Sequence, residues 1–219
     1  MARKSKKPPK PNTPYTLPKH LGGDPEKLVL AMDPGSRNFG IALVGLENGQ
    51  PRCYLNSVMM RPVNDLVAFA RTRKNFLIEV AAWMKYQPGG VVAERFQTRG
   101  GSSMGPLIEQ VSAMLGLIAG QYPNVPIKLT IASVWKNSMQ RRFADEYRGH
   151  VDYANDEGEF DLRAVYKRIK VEPHQLDASL IGIYGLEQGL NIVIDFDFED
   201  WVSQVEASSR IPLRKRRGT

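Results

Sequence analysis

The chain has 219 residues and a mass of 24.6 kDa, enough for one sizeable domain and too little for two large lobes. Hydrophobic residues make up 42%, which supports a real core, and the single cysteine, Cys53, excludes a disulfide framework and any cysteine-based zinc site. The sequence lacks an apolar run of about eighteen residues and an apolar leader after its charged start, so a cytoplasmic location with no membrane span is expected.

The net charge of +7 is concentrated at the ends. Residues 1–20 carry Arg3, Lys4, Lys6, Lys7, Lys10 and Lys19 with no acid, and residues 210–219 carry Arg210, Arg214, Lys215, Arg216 and Arg217, again with no acid. What remains is 19 basic residues against 23 acidic, a body of net −4 between two basic tails. Such tails suit a polyanion, and nucleic acid is the expected partner.

Residues 1–26 read as a flexible basic arm, since five prolines stand among the lysines of the first twenty positions. The run Leu28-Val29-Leu30-Ala31-Met32 predicts a strand covered on both faces, ended by the turn Asp33-Pro34-Gly35-Ser36. Residues 39–46 predict a second strand, and Asn48-Gly49 supplies a hairpin signal before a third strand over 52–60. From Asn64 the period becomes helical, with Leu66, Phe69, Ala70, Leu77, Val80, Ala81 and Met84 on one face. Val91-Val92-Ala93 predicts a short buried strand ending at Glu94, and the Gly/Ser loop 100–105 leads into a helix seated by Leu107, Val111, Met114, Leu115 and Ile118. A fifth strand is expected over 125–131, a helix over 133–148, an irregular acidic loop over 149–161 and a last helix over 173–187. The order βββαβαβα predicts an α/β domain over 27–190, a mixed five-stranded sheet with helices on both faces, followed by a C-terminal extension with a basic tail over 191–219.

Three carboxylates stand out by position. Asp33 and Glu94 follow the apolar runs of two strands, and ligands of open α/β sheets bind at strand carboxyl ends. Asp177 shares the apolar face of the last helix with Leu180, Ile181 and Tyr184, where an ionised group needs a partner, and His174 lies three residues before it. Each has a plain structural role available. Asp33 fits an Asx-turn, Glu94 a pairing with Arg95 or Arg99, and Asp177 an early-helix acid. Converging on one crevice, the four would need cations to offset their repulsion, and oxygen donors with one imidazole suit Mg²⁺ or Mn²⁺.

The segments LVLAMDPGSRNFGIALV, VVAERF and HQLDASLIGIYG resemble the three acidic motifs of the RuvC-type Holliday junction resolvases, members of the ribonuclease H-like superfamily. The resemblance spans residues 27–187 and leaves out both tails and the acidic-aromatic DFDFEDW at 195–201. It implies a ribonuclease H-like fold and a nuclease with two Mg²⁺ (or Mn²⁺) ions per active site, held by Asp33, Glu94, Asp177 and His174. The implied reaction is paired hydrolysis of a four-way DNA junction in recombination and repair, leaving a 5′-phosphate and a 3′-hydroxyl. Lys136 in SVWKNS matches the family's lysine near DNA phosphate, and Phe96 answers to the aromatic that inserts at the junction centre. The family places that aromatic one position further from its Glu, where this chain has Gln97. Arg95 and Arg99 flank the Gly/Ser loop and are candidate DNA contacts.

A junction has near two-fold symmetry, and a homodimer is expected through the helix at 105–121, whose outward side carries Ser112, Gly116, Ala119 and Gly120. The rival readings are a nuclease for other branched DNA or structured RNA, a non-catalytic junction-binding protein, and an actin- or sugar-kinase-type fold that would need a second lobe. The basic tails and the acidic insertion suit a phage or mobile-element resolvase.

Overall fold

The apolar run after Leu28 becomes the middle strand of the molecule. The computed structural model describes residues 27–35, 38–47, 49–59, 67, 88–95, 105–146, 153–169, 171–194 and 196–209. Within them lie strands β1 (Val29–Pro34), β2 (Asn38–Glu47), β3 (Gln50–Met59), β4 (Gly90–Glu94) and β5 (Ile127–Thr130). The helices are α1 (Gly105–Gln121), α2 (Ala132–Glu146), α3 (Leu162–Arg168), α4 (Pro173–Gly189) and α5 (Phe198–Ser209). The sheet order is β3-β2-β1-β4-β5. The β1–β2 and β2–β3 pairings are antiparallel, while β1–β4 and β4–β5 are parallel. This is the expected mixed five-stranded sheet. The helix expected from Asn64 lies outside the described residues apart from Val67.

Side chains alternate across the sheet and divide the core in two. Leu30, Met32, Phe39, Ile41, Leu43, Val91 and Ala93 face one side, where Met114 and Ile118 of α1 cover them. Val29, Ala31, Ala42, Val44 and Val92 face the other, and their small size is what α4 needs. A Cβ built on Gly182 would lie 2.3 Å from Val44 Cγ2 and 3.2 Å from Ala31 Cβ, and one on Gly185 would lie 2.6 Å from Val92 Cγ2. The two glycines let the α4 backbone sit directly on the sheet. Helix α4 ends where Asn191 takes a left-handed conformation (φ 53°), with Leu190 N–H donating to Gly185 O and Ile192 N–H to Leu186 O.

The sequence predicts one apolar stripe on α4, but ten of the eleven residues from Leu176 to Leu186 are buried, because a second helical layer covers its outer side. Trp135, Met139 and Phe143 of α2 belong to this layer, and so do Phe198, Trp201 and Val205 of α5. The Phe143 ring packs against Phe160, Phe196, Phe198 and Trp201 with centroids 5.0–5.9 Å apart. The segment beyond residue 190, read from sequence as an extension, therefore helps build the core. Its helix is tied to β3 by Arg52 Nη1 to Asp200 Oδ2 at 2.6 Å and by Cys53 N–H to Gln204 Oε1 at 3.1 Å.

Other differences from the expected elements are local. β5 starts at Ile127, because Pro126 has no N–H for a ladder and Val125 closes the preceding turn onto Tyr122 O. Helix α3 falls between the expected acidic loop and last helix. The described part of that loop is ordered by Asn155, whose side chain accepts from the N–H groups of Glu157 and Glu159. Among the described residues no helix is long and apolar enough to cross a membrane.

Because Trp201 is fully enclosed, Trp201→Ala is expected to lower unfolding stability by about 3–5 kcal/mol, measured by urea titration. A loss under about 1 kcal/mol would show that the C-terminal helix is only loosely applied to the body.

Candidate active site

The alternation that divides the core also sets the site. Asp33 follows Val29 and Ala31 at period two, and Glu94 follows Val92, so both carboxylates project toward the α4 face. β1 and β4 run parallel in register, Met32 opposite Ala93, which brings the next residues of the two strands, Asp33 and Glu94, side by side at the carboxyl edge. On the other flank Asp33 pairs with Gly40 of β2. The first turn of α4 sits over this point, because a Cβ on Gly40 would lie 1.9 Å from the carbonyl oxygen of His174. Only glycine lets strand and helix start approach this closely.

Helix α4 begins with Pro173 behind an N-cap, Glu172, whose side chain accepts from Gln175 N–H. His174 and Asp177 then lie one turn apart on one side. His174 Nδ1–H donates to Asp33 Oδ2 at 2.5 Å, the ring proton being assigned to Nδ1 by the carboxylate it faces. Asp177 is held at both oxygens, by Lys136 Nζ on Oδ2 at 3.0 Å and by the Tyr166 hydroxyl on Oδ1. Glu94 accepts from Trp135 Nε1–H at 2.7 Å. Lys136 Nζ also lies 4.9 Å from the Trp135 ring centre and 5.9 Å from that of Tyr166.

Burial is the dominant electrostatic influence on the two strand-end acids. It raises the Asp33 carboxyl above its ordinary range; the His174 hydrogen bond opposes the rise and the Asp177 charge adds to it. Burial likewise raises Glu94, the Asp33 charge adds to that, and the Trp135 bond opposes it. His174 is raised chiefly by its bond to Asp33, against its own burial. Tyr166 is pushed well above the usual phenol range by burial, then by the Asp177 charge and hydrogen bond, so it stays a donor at neutral pH.

Five of the eight residues singled out from sequence thus meet at one edge of the sheet: Asp33, Glu94, His174, Asp177 and Lys136. Arg95 is exposed beside them, its backbone N–H donating to Thr130 O at 2.6 Å. Phe96, Arg99 and the Gly/Ser loop over 100–104 lie outside the described residues. Trp135 and Tyr166 were not foreseen. The signal for Tyr166 was present: Asp161 caps Arg163 N–H at 2.9 Å, Leu162, Val165 and Ile169 repeat at helical spacing, and Lys167 and Arg168 close the last turn.

Among the described residues no three His, Cys, Asp or Glu side chains stand close enough to hold a metal ion as they are placed. The donor chemistry nonetheless fits a hard divalent cation: three carboxylates and an imidazole at one edge, with the Lys136 ammonium on Asp177 supplying a positive charge that a cation can replace.

No protein-family model matches the chain, and no curated protein matches it. Among solved structures it is similar to Thermus thermophilus RuvC in complex with a Holliday junction substrate, at TM-score 0.52 and 15% identity, covering 76% of this chain and 98% of that one. It is also similar to another Thermus thermophilus RuvC structure, at TM-score 0.49 and 18% identity, with the same coverage. The fowlpox virus resolvase with its Holliday junction substrate matches at TM-score 0.34 and 16% identity, over 74% of this chain and 99% of that one. The fold is ribonuclease H-like, as the acidic motifs implied.

Gly40→Ala adds one methyl group where a backbone carbonyl stands. It is expected to lower stability by about 1–3 kcal/mol or more and to separate His174 from Asp33, read as a change in the His174 ring resonances in NMR spectra. Unchanged stability and resonances would show that the helix start is not seated on β2.

Proposed function

We propose that this protein is a metal-dependent, structure-specific endonuclease that resolves four-way DNA junctions by paired phosphodiester hydrolysis, leaving a 5′-phosphate and a 3′-hydroxyl. The observation that supports this most is the meeting of Asp33 and Glu94, at adjacent parallel strand ends, with Asp177 and His174 on the helix laid across them. An acidic crevice repels a phosphodiester unless cations stand between. Two Mg²⁺ or Mn²⁺ ions, held by these four residues, would supply the positive charge and lower the pKa of an attacking water.

The chain's own groups then take distinct parts. Asp33, the most enclosed of the three acids, would be shared between the two cations, and Glu94 and Asp177 would hold one each. His174, whose ring is steered by Asp33, positions a water or completes the ligand set. Lys136, with 41% of its side chain exposed, is available to a phosphate once it leaves Asp177. Arg95, Arg99 and Phe96 are proposed to contact DNA around the junction centre, and the basic tails to add long-range attraction.

Asp33→Asn, Glu94→Gln and Asp177→Asn should each abolish cleavage of a synthetic four-way junction in Mg²⁺ while retaining junction binding within a few-fold. Binding tightens if the lost charge had been repelling phosphate. The same assay with a flap, a matched duplex and a structured RNA separates junction resolution from the other nuclease activities. A variant that cuts at the wild-type rate removes that residue from the site. Binding to junctions without cleavage by the wild type would leave a non-catalytic binding protein.

Two symmetric cuts call for two sites, and a homodimer through α1 supplies them. The helix seats itself through Val111, Met114 and Ile118, while Ser112, Gly116 and Gly120 are exposed on its other side. A Cβ at Gly116 or Gly120 meets nothing within 4 Å, so neither glycine is required by packing among the described residues. Each lowers helix stability by roughly 1 kcal/mol relative to alanine, which contact with a second copy would offset. Gly116→Leu should give folded monomers that resolve junctions poorly, measured by light scattering beside the cleavage assay. A wild type that is monomeric both free and on a junction would exclude this dimer.

A further inference from the structure

We propose that Tyr166 is a positioning residue for the acidic site: its hydroxyl fixes one oxygen of Asp177 so that the carboxylate is presented to a divalent cation in a single orientation. The inference rests on the metal-dependent reading of the site given above. It starts from how firmly Tyr166 is itself held. Its helix, α3, begins at the Asp161 cap, and Gln140 of α2 braces that start from both sides, accepting from Leu162 N–H at 3.0 Å and donating through Nε2 to Phe160 O. Leu162, Val165 and Ile169 bury the same short helix in the core. The ring is therefore delivered from a fixed base, and its hydroxyl donates to Asp177 Oδ1.

The two donors on Asp177 differ in kind. Lys136 is a mobile, partly exposed point charge on Oδ2, and a cation entering the site takes over its role of neutralising Asp177. Tyr166 is neutral, partly buried and carried on a braced helix, so it need not leave. Asp177 then keeps one oxygen tied to the protein while the other turns from Lys136 to the cation. Hydrogen bonds of this kind behind a ligating carboxylate set its orientation, and their loss typically weakens metal binding by about 10–100-fold. Trp135 stands in the same relation to Glu94, so the two outer acids are each backed by an aromatic donor from the outer helical layer.

The test is Tyr166→Phe in the full-length protein, which keeps the ring and removes only the hydroxyl. Direct titration with Mn²⁺ in the absence of DNA, followed by electron paramagnetic resonance, is expected to show roughly tenfold or greater loss of affinity. The Mg²⁺ concentration for half-maximal junction cleavage should rise in step, with the dissociation constant for the junction itself unchanged. A purely structural role would weaken Mn²⁺ binding by the same factor with or without the Asp177 carboxylate. Combining Tyr166→Phe with Asp177→Asn therefore decides between them: the hydroxyl should have no effect in the Asn background. Wild-type Mn²⁺ affinity in Tyr166→Phe, or an equal loss in both backgrounds, overturns the proposal while leaving the nuclease reading in place. A wild type that binds Mn²⁺ no better than Asp33→Asn overturns both.

Discussion

The approach of α4 to the sheet governs the rest of the molecule. Ordinary side chains between a helix and a sheet hold the two backbones apart, and a Cβ at Gly40 would already collide with the His174 backbone in the first turn of α4. Gly182 and Gly185 on the helix, and Gly40, Ala31 and Ala42 on the strands, remove the side chains that would hold the two apart. The same contact leaves little room for adjustment, since a single methyl group at Gly40 or Gly182 meets atoms well inside van der Waals distance. Packing and site geometry are thus one constraint: what seats the helix also gathers the acids.

The gathered acids are electrostatically unfavourable in the form the fold gives them. Asp33 is almost wholly enclosed, and burial together with its neighbours' charge raises both it and Glu94 above the ordinary carboxyl range. The protein answers with one donor set per acid: His174 on Asp33, Trp135 on Glu94, and Lys136 with Tyr166 on Asp177. None of these donors comes from the sheet. They come from α2, α3 and α4, so the helical layers outside the sheet act both as core and as counter-charge. The helices that bury the strand-end acids, and so raise them, are also the elements that supply the donors to them.

Much of this was legible in the sequence because the relevant signals are local. Continuous apolar runs and turn residues gave β1, β2, β3 and β4, and the end of a run located Asp33 and Glu94. The i, i+3 spacing of His174 and Asp177 on an apolar helical face gave the third corner. Trp135 and Tyr166 were not legible in the same way. Trp135 reads as a core residue, and it is one, with no exposed surface; its indole N–H bond to Glu94 depends on how α2 crosses the sheet. For α3 the cap, the apolar spacing and the basic last turn were in the sequence, but over seven residues they make a weak signal that merges with the acidic loop before it. The pattern Phe198, Trp201, Val202, Val205 did carry the helical spacing of α5, but its dense acids and aromatics masked the Asp197 cap that starts it.

That last helix bears on how the site is held. Trp201 Nε1–H donates to Ser179 Oγ at 3.3 Å, and Ser179 lies two residues beyond Asp177 on α4. Around Trp201 the rings of Phe143, Phe196 and Phe198 connect α5 to α2, the helix that carries Trp135 and Lys136. Arg142 of α2 adds an ion pair to Glu187 of α4 at 2.5 Å and a hydrogen bond to Ile194 O at 2.9 Å. The outer layer is therefore cross-braced to α4 by both aromatic packing and charge. The donors to all three acids sit on helices in this brace, so the C-terminal aromatic cluster, far along the chain from the acidic motifs, packs against the same helices that carry His174, Trp135 and Lys136.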